Sequence, residues 1–261
     1  MAVFVSASDE TSGATSQGIF HYCGYVAPLN DWSEFFAPAW YERVLAGPPA
    51  IPYLHMTDIR SKGWRQQHGL SEVDADLRVQ AACEVIGQLG GMFPARATLP
   101  AGDFRVSCGK RKMRVSSKAI KTFEPDYLGF MGYAFLVLRY IADEFPDADK
   151  VDFIIERKKG ISEHIVDFHN DFPEGLASVG QSSLAPLLGE LIPGGKERIP
   201  LQAADVLCWH TQRAELRTAS KVDLQRLRTI TRASGHSFTW SKAELIKLND
   251  GFERRLSEMA K

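Results

Sequence analysis

An apolar run, Val3-Phe4-Val5, leads into two adjacent acids at Asp9-Glu10-Thr11-Ser12-Gly13, and no other feature restricts the fold of this chain as much. Val3 to Ser8 alternates weakly, as a half-buried strand does. Ile19 to Ala27, rich in aromatic and β-branched residues, follows after Gly13 and Gly18. A β-hairpin with a generous loop is predicted. The arrangement recurs at Val151 to Glu156, a short apolar strand ending in an acid, with Arg157-Lys158-Lys159-Gly160 supplying the turn. A further acid closes Leu201-Gln202-Ala203-Ala204-Asp205, an otherwise apolar segment. A carboxylate in such a setting is costly unless it faces a cation, a strong donor or water. The acids therefore suggest a divalent-metal site.

Between these landmarks the pattern alternates strands and helices, which predicts an α/β fold. Asp31, with Glu34 three residues on, resembles a capping box for a helix carrying Trp32, Phe35, Phe36 and Trp40, with Pro38 as a kink; Gly47 to Pro52 ends it. Ser71 to Leu89 has a cap, an acidic first turn and apolar residues near the helical period. Phe93 to Leu99 and Phe104 to Val115 read as strands, Tyr127 to Phe145 as a buried helix started by Pro125, and Ile161 to Phe172 as a helix. Gly175 to Ile199 is loop-rich with a helix around Ser183 to Leu191. A helix then runs from Pro200 to about Arg217, and Ser241 with Glu244 caps a C-terminal one.

With 261 residues, 44% hydrophobic and 24% charged, the chain can bury one large core, so disordered and fibrous classes are excluded. A formal net charge of -1 gives no global attraction to nucleic acid, so any such binding must use a local patch. Cys23, Cys83, Cys108 and Cys208 form no Cys-x-x-Cys pair, which argues against structural zinc and for packed, reduced thiols. The longest apolar run carries Arg139 and falls short of the ~20 residues that cross a bilayer. With no signal-peptide pattern at the N-terminus, a cytoplasmic location and no membrane partner are expected.

On a helix from Pro200, Gln202 and Asp205 share a face, and Ala203 and Ala204 permit close packing on a sheet. Asp205 could then reach the strand ends bearing Asp9 and Glu156, with Gln202 orienting a carboxylate or a ligand oxygen. Oxygen donors of this kind suit magnesium or manganese. Two such ions about 4 Å apart support phosphodiester hydrolysis by activating water and stabilising the leaving oxygen.

The Asp9 to Gly13 and Leu201 to Asp205 motifs, the Phe20 to Trp40 aromatic pattern and His55-Met56-Thr57-Asp58 together resemble the domain of unknown function 3800 family, in order over roughly residues 3 to 217. The resemblance implies a ribonuclease-H-like fold, a mixed central sheet flanked by helices, here with extra C-terminal helices. The chain as a whole is expected to form a domain over residues 1–220 with a helical extension over 221–261 packed on the same domain. The resemblance matches Asp9 and Glu10 to the leading acids, Asp205 to the late acid and Glu156 to the acid after the later strand. Thr11 is an extra residue relative to the acid-acid-serine-glycine common in the family, and Ala7 stands where an aromatic is common.

The expected activity is that of a metal-dependent nuclease. Asp9, Glu156 and Asp205 would hold one or two magnesium or manganese ions, and Glu10 would assist. Substrate contacts fall to Gln202, to His55, and to Lys110, Arg111 and Lys112 in the densest basic run. Two alternatives stay open: a non-catalytic binding protein of a defence or toxin-like system, and a hydrolase of small phosphate esters or nucleotides. Simpler readings also exist for single residues: Asp205 paired with Arg213, Glu156 in a surface ion pair with Lys158, His164 to Asp171 as a solvated helix face, and His210 packed beside Trp209. Nucleic acid is the expected partner. The sequence permits a homo-oligomer without requiring one.

Overall fold

The computed structural model describes residues 2–11, 18–108, 112–116, 119–122, 125–158, 162–231, 236–247 and 250. Its strands are β1 (Ala2–Glu10), β2 (Ile19–Pro28), β3 (Phe93–Pro100), β4 (Lys112–Ser116), β5 (Ala119–Thr122), β6 (Ala148–Glu156), β7 (Leu188–Gly194) and β8 (His236–Thr239). The main sheet has the order β7-β6-β1-β2-β3-β8, while β4 and β5 form a separate antiparallel pair. In the main sheet β1, β2 and β3 are antiparallel neighbours; β6 runs parallel to β1, β7 to β6 and β8 to β3. The sheet is mixed and helices cover both faces, so the α/β expectation holds.

Strand alternation sorts side chains between two cores. Phe4, Tyr22, Val26, Phe153 and Ile155 enter one core, with α6 (Pro125–Glu144). Val5, Ala7, Cys23, Tyr25 and Ile154 enter the other. That second core is closed by a helical stretch α1 (residues 31–45), by α4 (Glu72–Gln88), by α8 (Ile199–Glu215) and by α9 (Lys221–Thr231). Short helices α2 (Met56–Arg60) and α3 (Lys62–Gln67) precede α4, α5 (Ala101–Ser107) follows β3, and α7 (Ser162–Ser178) follows β6. Ala203 and Ala204 are fully buried, as close packing of α8 on the sheet requires.

Several sequence expectations need correction. Phe104 to Val115 is not one strand. Ala101, Phe104 and Cys108 bury at helical spacing, so α5 turns away after Pro100, and the strand among the described residues here is Lys112–Ser116. Asp31 does not cap a helix: Asn30 is already helical and makes no side-chain cap bond. Around Pro38 the helix widens instead of simply kinking, with i→i+5 turns on both sides of Ala37–Trp40. The region around Ser183 to Leu191 divides into a tight turn, Ser182–Leu187, and the edge strand β7. The C-terminal segment is not wholly helical, because β8 adds to the same sheet beside β3. The Ser241 and Glu244 capping box does form: Ser241 N donates to Glu244 Oε2 at 2.8 Å and Glu244 N to Ser241 Oγ at 3.2 Å. No helix among the described residues is long and apolar enough to cross a membrane.

Candidate functional site

Parity along two parallel strands brings the acids together. Asp9 is in phase with Val5 and Ala7, and Glu156 with Ile154, so both emerge on the face covered by α8. The register pairs Ala7 with Ile154 and Ser8 with Ile155, which leaves Asp9 and Glu156 at the adjoining strand ends. From α8, Asp205 faces the same cleft, outside the tightest group of carboxylate oxygens. Asp9, Glu156 and Asp205 line one cleft with Leu54, His55, Lys196, Leu201 and Gln202. Glu10 lies beside it: oxygens of Asp9, Glu10 and Glu156 come within 4.8 Å of one another.

Each acid is held by the backbone or by a cation. Asp9 Oδ1 accepts from Glu10 N at 2.9 Å, and the Asp9 carbonyl accepts from Cys208 Sγ at 3.3 Å. Asp205 Oδ2 accepts from Met56 N at 2.6 Å. Lys158 pairs closely with Glu10, and its Nζ is 3.4 Å from Glu156 Oε2. Burial raises the Asp9 pKa, against the opposing charges of Lys158, His55 and Lys196. Burial and then the charge of Asp9 push Asp205 well above the carboxylate range, although Met56 N opposes this. Burial and Asp9 raise Glu156 to about 7, against the opposing charge of Lys196. Burial in turn lowers the pKa of Lys158. Together these shifts describe negative charge in short supply of cations.

A second group borders the same cleft. His55 Nδ1 is 3.1 Å from Asp58 Oδ2, and Lys196 Nζ is 3.0 Å from the same oxygen and 3.2 Å from His55 Nδ1. Burial and Lys196 lower the His55 pKa. Burial works to raise the Asp58 pKa, but hydrogen bonding to Lys196 and the charge of His55 hold it below its usual value. Lys196 also lies over the Tyr53 ring, 5.8 Å from its centroid.

Gln202 is placed at the cleft but does not reach a carboxylate through the bonds it makes. Its oxygen accepts from Trp40 Nε1 and Leu54 N, and its amide donates to the Lys196 carbonyl. Of the expected basic contacts, Lys110 and Arg111 lie outside the described residues. Lys112 opens β4, in the separate hairpin that packs near α7. Arg213 turns to Asp223, with Nε 3.4 Å from Oδ2, so the alternative Asp205–Arg213 pair does not form. His210 packs against Trp209 as expected. His169 is buried near Phe130 and Phe153, so it is not part of a solvated face. All four cysteines are free and buried.

Sequence reasoning missed Lys196 as a site residue, and it foresaw Lys158 as a partner of Glu156 but not of Glu10. Neither sits in a motif, because each is delivered by a loop just beyond a strand end. Compared with known proteins, the chain matches no protein-family model, no curated protein and no solved structure.

Proposed function

We propose that this chain is a ribonuclease-H-like, metal-dependent phosphodiester hydrolase acting on nucleic acid, related to the domain of unknown function 3800 family. The observation that carries the reading is the convergence of Asp9 and Asp205, remote in sequence, on one cleft with Glu156. A mixed sheet whose adjacent parallel strands β1 and β6 end in acids, covered by a helix that brings another, supports the fold assignment.

The donor set fits magnesium or manganese. Hard carboxylate oxygens come from β1, β6 and α8, and their raised pKa values reflect charges that a divalent cation would satisfy. Asp9, Glu156 and Asp205 would hold the metal, with Glu10 beside them. When bound, it would supply an activated water and charge stabilisation at the phosphate. The chain's own contribution is to hold these carboxylates in place: Met56 N fixes Asp205, and Cys208 secures the backbone of Asp9.

A second reading is a binding protein that keeps the cleft but not the chemistry. The pairing of Lys158 with Glu10, close to Glu156, favours it, because a resident ammonium can neutralise acids without a metal. Incubation of the purified chain with labelled RNA and single-stranded DNA in magnesium or manganese separates the two. Cleavage that disappears in Asp205→Asn supports the hydrolase. Equal cleavage by Asp205→Asn refutes the metal assignment, and binding of nucleic acid without cleavage or metal uptake favours the second reading.

A further inference from the structure

The cleft has a cationic side as well as an acidic one. Lysine has donors only and a carboxylate has acceptors only, so the His55, Asp58 and Lys196 distances restrict the imidazole. If Nδ1 carried the hydrogen it would donate to Asp58, and the bare Nε2 would then face Asp205 Oδ1, lone pair to lone pair, across 4.0 Å. If Nδ1 accepts from Lys196, at 3.2 Å, the hydrogen moves to Nε2 and points at that carboxylate. Each arrangement leaves one lone-pair contact, Nε2 against Asp205 Oδ1 at 4.0 Å in the first and Nδ1 against Asp58 Oδ2 at 3.1 Å in the second, so the imidazole hydrogen is placed by what enters the cleft, and an anionic oxygen at Nε2 selects the second. In that arrangement 4.0 Å is too long for a hydrogen bond to Asp205, so the Nε2 hydrogen is aimed into the cleft with only a distant protein acceptor.

Lys196 is positioned from several sides. Asp58 accepts from its ammonium, the Tyr53 ring lies beneath it, and Gln202 Nε2 holds its backbone carbonyl at 3.0 Å. The ammonium remains more than a third exposed at the cleft, so Asp58 does not use all of its donor capacity. Two donors of different elements thus border the acids, one from the loop after β7 and one from the segment before α2.

Building on the hydrolase reading, we propose that Lys196 and His55 Nε2 form a clamp for a substrate phosphate, with Asp58 as the positioning residue that orients both. The ligand class is a phosphodiester oxygen of a nucleic-acid strand. The acids and their metal would face the same phosphate from the other side.

The test uses the full chain and three measurements: manganese calorimetry, KM and kcat for bis(p-nitrophenyl) phosphate in manganese, and anisotropy of a fluorescein-labelled single-stranded oligonucleotide with calcium or without metal. Lys196→Met and His55→Leu should each weaken oligonucleotide binding and raise KM about tenfold, the loss of one charge-assisted hydrogen bond, while manganese affinity stays within about twofold. Lys196→Arg and His55→Gln, which keep a donor, should recover most of the loss, a rescue that a merely structural role would not give. Asp58→Asn should raise KM with a smaller change in kcat. Competition by inorganic phosphate at concentrations that leave the oligonucleotide bound would show whether the strand or a free phosphate is preferred, and displacement at equal phosphate content overturns the strand assignment. Unchanged KM and oligonucleotide affinity in Lys196→Met and His55→Leu, with manganese still bound, overturn the clamp and leave the metal reading standing. Failure of the parent to bind manganese defeats the metal reading alone; the clamp then stands or falls on the metal-free oligonucleotide affinities.

Discussion

Trp40 Nε1 donates to Gln202 Oε1 at 2.8 Å, and the same oxygen accepts from Leu54 N at 3.0 Å. With its amide bonded to the Lys196 carbonyl, Gln202 ties α1, the segment before His55 and the loop after β7 to one buried side chain. Its truncation would leave the Trp40 and Leu54 donors unsatisfied. Gln202→Ala should therefore lower unfolding free energy by about 2–6 kcal/mol, each of the two stranded buried donors costing about 1–3 kcal/mol. Urea denaturation measures this. A change within ~0.5 kcal/mol, the range of ordinary surface substitutions, would show that these bonds do not matter.

Asp205→Asn should act in opposite directions on stability and metal binding. Burial and the charge of Asp9 disfavour the Asp205 carboxylate, and an asparagine oxygen can still accept from Met56 N. The metal-free variant should melt above the parent, lose the rise in Tm that manganese gives the parent, and lose at least a hundredfold in cleavage, about 3 kcal/mol of barrier. Differential scanning calorimetry with and without manganese checks it. An equal manganese-induced shift in both proteins would remove Asp205 from the ligand set.

The acids were legible because strand phase and helix spacing determine direction. Asp9 and Glu156 each end a run whose alternation fixes the face on which they emerge, and Gln202 and Asp205 lie three apart on a helix. What those side chains do on arrival was less legible. The hydrogen bonds of Gln202 depend on Trp40 and Leu54, which the sequence does not place beside it. The strand β7 was hidden by Gly189, Pro193 and Gly194, a composition that reads as loop and that a sheet edge tolerates. Lys196 was lost with it, since its position follows from where that strand ends. Two other elements needed tertiary information: β8 is too short to show alternation, and α5 became helical where an apolar run suggested a strand.

Manganese affinity should fall as pH drops through about 7. Glu156, raised to about 7 by burial and Asp9, takes up a proton in that range and ceases to be a good ligand. Stability of the metal-free protein should respond with the opposite sign. A carboxyl whose folded pKa exceeds its unfolded value binds more protons in the native state, so its contribution is present at low pH and declines between about 4.5 and about 7. Glu156→Gln should flatten both trends. Calorimetric titrations at several pH values test the first and thermal melts the second; parent-like slopes in the variant would assign the proton to another group.

On the proposed metal reading, Lys158 would compete with a cation for the acids at the strand ends. It pairs with Glu10 and approaches Glu156, and its own charge is disfavoured by burial. Lys158→Met should bind manganese more tightly, by roughly tenfold, the scale of one charge-assisted interaction. The same variant should be less stable than the parent without metal, because it leaves carboxylates uncompensated. Paired manganese isotherms and metal-free melts measure both changes. Weaker manganese binding in Lys158→Met would mean that the lysine organises the site instead of competing for it.

Gly24 controls how closely β2 approaches the strand that carries Asp9. It pairs with Ser8 in the register, and a Cβ at this position would collide with the Ala7 carbonyl oxygen, the Tyr133 hydroxyl and the Ser8 backbone. Tyr133 needs that space, since its hydroxyl bonds to Ser6 Oγ at 2.8 Å. A rotamer change could move the tyrosine, but nothing comparable can move the backbone of β1. Gly24→Ala should therefore destabilise by about 3 kcal/mol or more, at the severe end of overpacking, and should weaken manganese binding by displacing Asp9. Tyr133→Phe alone should cost only about 1–2 kcal/mol, from the lost bond to Ser6. Combining the two should recover little, because the clash with Ala7 and Ser8 remains. Guanidinium denaturation of the single and double variants tests this order. A double variant as stable as Tyr133→Phe would place the whole constraint on the tyrosine hydroxyl and none on β1.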